Sequence, residues 1–232
     1  MDLIVSLLTA GASLLFGGLV MTQFLARRRP YQLVWSCGLL VYALAALAQA
    51  LAELQGWSPV LYKAWYVLGG LCAAAWLGMG TGYLFLPRRL AHAALALLVA
   101  VSVLGLALVI PVDVPAAHLP RAGHPLVHLM PPHVRSIAVV LNVFGTVALI
   151  GGAAWSAWHY WRRHAHPQRV LSTSLIALGG LLPATAGALL ALGLPDLFYL
   201  LTCLGIMVIF AGFLANYEIV TARFAVLSHA SQ

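Results

Sequence analysis

Gln49 and Glu53 stand four residues apart in an otherwise apolar stretch, a spacing that puts an amide and a carboxylate on one helical face. Similar polar islands recur downstream. Lys63 and Tyr66 open the next apolar run, Arg135 and Asn142 share a face of a later one, and Asp196, Tyr199 and Thr202 begin the last. Thr185 sits close to Pro183, which interrupts the hydrogen-bond ladder of its own run and could admit a kink or a ligand. Polar groups inside lipid-soluble sequence are costly and mark functional sites by default. Carboxylates, amides and phenols of this kind suit recognition of a small or lipophilic ligand. We expect Gln49, Glu53, Lys63, Tyr66, Arg135, Asn142, Thr185, Asp196, Tyr199 and Thr202 to line one outward-facing pocket. On that reading Glu53→Gln and Asn142→Ala weaken ligand binding and leave the fold intact. The competing reading makes these residues interfacial, each satisfied by headgroups or water.

Histidines offer a second chemistry. His118, His124, His128 and His133 fall in one proline-broken stretch, 111–133, and His124 with His128 has helical spacing suited to zinc or copper. No cysteine joins them, so we expect incidental loop histidines and no metal or other cofactor. Cys37, Cys72 and Cys203 are isolated within apolar runs and predict no disulfide. None of the nine histidines is placed deep in a span for haem, and the single lysine, Lys63, is not in the last span, where a retinal Schiff base would need it. HExxH, GxSxG and Gly-rich phosphate loops are all missing, and we expect no enzyme.

The elements that carry these residues follow from the solvent. Of 232 residues 63% are hydrophobic and 7% charged, and the mean hydropathy is +0.98, more apolar surface than a soluble domain can hide. One membrane domain fits the length. It is an all-α bundle of seven transmembrane helices, with spans at about 3–25, 32–54, 61–86, 90–110, 134–160, 170–192 and 197–220. The first span is followed by Arg27, Arg28 and Arg29 and has no convincing cleavage site, so it reads as a retained helix and not a signal peptide. The fourth, nearly all Ala, Leu and Val, suits a lipid-facing position.

Arg27, Arg28, Arg29, Arg88, Arg89, Arg162, Arg163, Arg169 and Arg223 fall on one side, against Lys63, Arg121 and Arg135 on the other. The positive-inside rule then puts the N-terminus outside and the C-terminus inside, in a cell membrane of bacterial cytoplasmic type. The net charge of +7 resides in these helix-end clusters, which face anionic lipid and not nucleic acid.

A faint internal register joins the two halves. Gln32, Val34, Ser36 and Leu39 align with Gln168, Val170, Ser172 and Leu175, and Leu68-Gly69 with Leu204-Gly205. It describes three helices, a linker helix and three more in the same orientation, a 3+1+3 parallel repeat, although Ala and Leu also match by chance. The third span, LYKAWYVLGGLCAAAWLGMGTGYLF before Arg88 and Arg89, resembles the seven-helix membrane sensor regions of bacterial histidine kinases. That resemblance implies a ligand-sensing module. With only residues 221–232 after the last span and no kinase domain, it would signal through a protein partner at the cytoplasmic face. The topology is also similar to the SWEET and PQ-loop carriers, but Pro183 has no proline counterpart in span two and no Pro-Gln pair lies in a span. A carrier needs a polar path through the whole membrane, reaching Tyr83 and Asn216; a sensor needs only the outer pocket. An accessory subunit of a membrane complex needs neither.

Overall fold

Lipid offers a backbone no hydrogen-bond partners, so long apolar segments must close their own bonds as helices. A computed structural model describes residues 2–121, 123, 127–163, 167–194 and 197–229, with 127, 191 and 216–229 described by backbone alone. Seven helices are long and apolar enough to cross a membrane, and the described residues include no strand. They are α1 (Asp2–Arg27), α2 (Pro30–Gln55), α3 (Pro59–Phe85), α4 (Arg88–Val109), α5 (Pro132–Arg162), α6 (Pro167–Ala191) and α7 (Phe198–His229). The chain is a multi-pass membrane protein.

The helix ends follow ordinary rules. Pro30, Pro59 and Pro132 stand in the first turns of α2, α3 and α5, where a missing N–H leaves no bond unmade. Ser58 caps α3 by accepting the Leu61 amide at 3.2 Å. Gly56 ends α2 at a φ of +84°, and its missing Cβ also leaves room for the Arg121 carbonyl.

Around the bundle the order is α1, α2, α3, α5, α6, α7 and back to α1, a closed ring of six. The linker α4 lies outside this ring against α3, and only 17% of its most apolar window is buried. Two seams of the ring bring backbones together. Between α3 and α5, a Cβ on Gly78 would strike Gly145, and one on Gly145 would strike the Ala74 carbonyl. Between α6 and α7, Gly179 meets Gly205, and Ser172 Oγ donates to the Gly212 carbonyl at 2.6 Å. Pro183 lies inside α6, where a kink or a ligand site was expected. The helix runs unbroken through it, and its ring lies against Gly205.

Both partners of the α3–α5 seam carry a π-helical stretch, Tyr66–Ala73 in α3 and Val147–Gly151 in α5. Such stretches often occur at functional sites. Within the first, the Gly70 carbonyl accepts from Asn142 Nδ2 at 2.5 Å, and the same nitrogen reaches Ala138 at 2.8 Å. Asn142 therefore joins two helices, and Asn142→Ala would disturb the fold it was expected to spare.

The core has two parts. At mid-bundle, Phe16 stacks on Phe210 at 5.1 Å and tilts against Phe213 at 4.9 Å, with Leu39, Leu77, Leu149, Ile206 and Ile209 around it. A cavity of about 10 Å³ remains there, lined by Phe16, Trp35 and five aliphatic side chains, too small and apolar to hold a water. The second part lies toward the end of the bundle that carries the 110–131 loop. There Trp57, Tyr62, Trp65 and Tyr66 pack with Val114, Leu119 and Met130 of that loop.

Candidate functional site

The loop end is where the polar residues of α2 and α7 meet. Glu53 lies two residues from the end of α2, and Tyr199 lies in the first turn of α7. Tyr199 Oη donates to Glu53 Oε1 at 3.2 Å, a contact between residues 146 apart in the chain. Between them sits Gly123. Its amide donates to Glu53 Oε1 at 3.0 Å, and its carbonyl accepts from Trp57 Nε1 and from Tyr199 Oη, each at 3.1 Å. Trp57 also anchors the loop through its own amide, which donates to the Pro120 carbonyl at 3.3 Å.

Beneath this clamp is an aromatic floor. Trp57 meets Tyr62 and Trp65 edge-on at 6.3 and 5.8 Å, and Phe198 meets Trp65 at 6.3 Å. Among the described residues no Lys, Arg or His pairs with Glu53, so the carboxylate has hydrogen-bond donors but no counter-ion. The Tyr66 hydroxyl is buried with no hydrogen-bond partner among the described residues, and Arg135 stands within electrostatic reach of it.

Only part of the expected pocket assembles. Glu53 and Tyr199 meet directly, and Gln49 is buried one turn below Glu53. Lys63 turns away, its Nζ donating to the Ile110 carbonyl at 2.8 Å, where a cation complements the C-terminal end of α4. Thr185 is exposed on the lipid side of α6 and bonds back to Leu181, and Arg135 is exposed on α5. Thr202 bonds to its own helix, though its carbonyl accepts from Tyr42 Oη of α2 at 3.0 Å. Asp196 and His124 lie outside the described residues, as does the Asn216 side chain. His128 is exposed in a short 3-10 turn, and the described residues contain no cluster of three His, Cys, Asp or Glu able to hold a metal ion.

Sequence reasoning missed Trp57 and Gly123. Their signals were present, an indole in the GWSP turn directly after Glu53 and a glycine inside the proline-broken loop, but neither stands in an apolar span. The placement of Lys63 carries its own expectation. Lys63→Met removes an exposed helix-end contact and should lower stability by less than about 1 kcal/mol, with no change at the clamp. Thermal unfolding in detergent measures it.

What the site can do chemically is recognise. A carboxylate, an indole N–H and a phenol converge on one amide N–H and one carbonyl. No family model, curated protein or solved structure matches this chain.

Proposed function

We propose that the protein is a sensing module of a cell membrane, of bacterial cytoplasmic type. It carries its loop end outside, its N-terminus outside and its C-terminus inside, and binds a small or lipophilic ligand at the clamp. A conformational signal then passes inward to a protein partner at the cytoplasmic face. The observation that carries this reading is the clamp itself, which ties the 110–131 loop to α2 and α7 through hydrogen bonds to Gly123. A ligand that displaces the loop must alter Tyr199, and α7 runs from there past Tyr42 and Phe16 toward the arginine-rich end. The charge asymmetry supports the orientation, and the weak likeness to histidine kinase sensor regions points the same way.

The 3+1+3 repeat is proposed in weaker form. The ring order suits it, and Gly69 and Gly205 each face the preceding helix, against Ala45 and Pro183. The aligned serines do not correspond, since Ser36 donates to Gly17 of α1 and Ser172 to Gly212 of α7. A carrier is disfavoured by the aromatic and aliphatic plug at mid-bundle. The one competing reading with an observation in its favour is an accessory subunit, because that centre is apolar and nearly filled.

A label decides between them. In a Glu53→Gln, Tyr199→Phe background the loop loses its strongest anchors, and exchange of loop amides should quicken roughly tenfold, the effect of about 1.4 kcal/mol. A fluorophore on Ser228→Cys should then change emission. A freed loop with a silent label overturns the sensing reading in favour of the subunit.

A further inference from the structure

We propose that Glu53, Trp57 and Tyr199 form a binding site for an α-amino amide, the unit presented by the N-terminus of a peptide, and that the chain's own Gly123 occupies it as an internal mimic. This deepens the sensing reading and rests on it for what binding accomplishes, though not for the binding itself.

The argument starts from what the three side chains hold. Gly123 contributes one N–H, taken by Glu53 Oε1 at 3.0 Å, and one carbonyl, shared by Trp57 Nε1 and Tyr199 Oη at 3.1 Å. An indole can only donate, and a carboxylate can only accept. The site therefore demands a donor and an acceptor separated as they are within a single residue, and it reads no side chain. Among the described residues nothing lies within 4 Å of where a Cβ on Gly123 would stand, so none of them bars a substituent on the α-carbon.

The fit of Gly123 is incomplete in two respects. Glu53 has no cationic partner among the described residues, and the Gly123 amide is neutral and offers a single proton. The bond from the amide is assisted by the charge of the carboxylate alone; an ammonium in its place would add an opposite charge and two further protons. The phenol is also divided, because its one proton faces both Glu53 Oε1 at 3.2 Å and the Gly123 carbonyl at 3.1 Å. With an ammonium on Glu53, the balance of the Tyr199 proton shifts from the carboxylate toward the ligand carbonyl. A free carboxylate in place of that carbonyl would stand close to Glu53 and be repelled, which selects an amide over an amino acid zwitterion.

Gly123 competes as a tethered group, at an effective concentration in the millimolar range, so the wild-type site is largely self-occupied. Displacing it should reveal the affinity. Gly123 sits at a φ of +92°, which proline cannot adopt, and proline also removes the donated N–H. The probe is glycinamide, titrated calorimetrically into protein in nanodiscs. Glycinamide should bind Gly123→Pro at least tenfold more tightly than wild type, and adding Glu53→Gln or Tyr199→Phe should abolish that gain. Gly123→Val, strained at the same φ but retaining its N–H, serves as a second displaced variant where proline disturbs folding. Glycolamide, with a hydroxyl for the ammonium, should bind at least tenfold more weakly than glycinamide. Equal binding of the two probes, or no gain in either Gly123 variant, overturns the proposal. Tight glycinamide binding with a silent label at Ser228→Cys upholds the site and overturns the sensing reading alone.

Discussion

Gly145→Ala is expected to destabilise the bundle by about 3 kcal/mol, the upper part of the range for overpacking a close contact. A Cβ at this position would meet the carbonyl carbon and oxygen of Ala74 and, at 2.6 Å, the amide nitrogen of Ala75. These are backbone atoms, which cannot swing aside as a side chain can. Relief requires α5 to retreat from α3, and that motion pulls Asn142 from the Gly70 carbonyl in the π-helical turn directly above. In a chain of this length about 3 kcal/mol corresponds to a fall of roughly 6–12 °C in Tm. The comparison is Gly18→Ala. Among the described residues nothing lies within 4 Å of a Cβ there, and alanine should be neutral or stabilising by up to about 1 kcal/mol through helix propensity alone. Equal melting temperatures for the two variants would show that α3 and α5 are not in backbone contact, and the floor of the clamp would lose its support.

The contrast between those two glycines shows what was legible in the amino-acid order. The existence of seven helices was, because spanning lipid demands about twenty apolar residues and only arginine clusters, prolines and the GWSP turn interrupt them. Which face of each helix looks inward was not. A membrane helix is apolar on its lipid side and on its packed side, so hydrophobic periodicity, the signal that orients helices in soluble proteins, is nearly flat. Gly18 and Gly145 read alike in sequence and differ wholly in surroundings. Thr185 and Thr202 were both assigned to the pocket; the first faces lipid, and the second bonds only within its own helix apart from the carbonyl that Tyr42 reaches. Glu53 was legible because a carboxylate near a helix end is rare in such a chain. Its partners were not, since one lies 146 residues away and the other is a backbone amide in a loop without periodicity.

The second large effect is at mid-bundle. Phe16→Ala should destabilise the protein by about 3 kcal/mol, the lower end for a truncated core phenylalanine, because lipid is as apolar as the core and the loss is one of packing more than of transfer. Phe16 is 1% exposed and joins Phe210 and Phe213 of α7 to Trp35 of α2, with ring centroids 4.9–6.4 Å apart. The same substitution asks whether the centre of the bundle blocks a latent path. Removing the ring enlarges a cavity lined by Trp35, Leu39, Leu77, Leu149, Ile206 and Ile209; the Trp35 indole N–H is the one unpaired polar atom among these side chains, fewer partners than a water needs, so the enlarged space should stay dry. Proteoliposomes carrying Phe16→Ala should therefore show no more uptake of water or of small polar solutes than wild type, even as Tm falls. Uptake that rises with the substitution would mean that Phe16 is the gate of a carrier. Loss of stability without uptake leaves the ring as the rigid contact through which α7, clamped at one end by Glu53 and Tyr199, is held to α1 and α2.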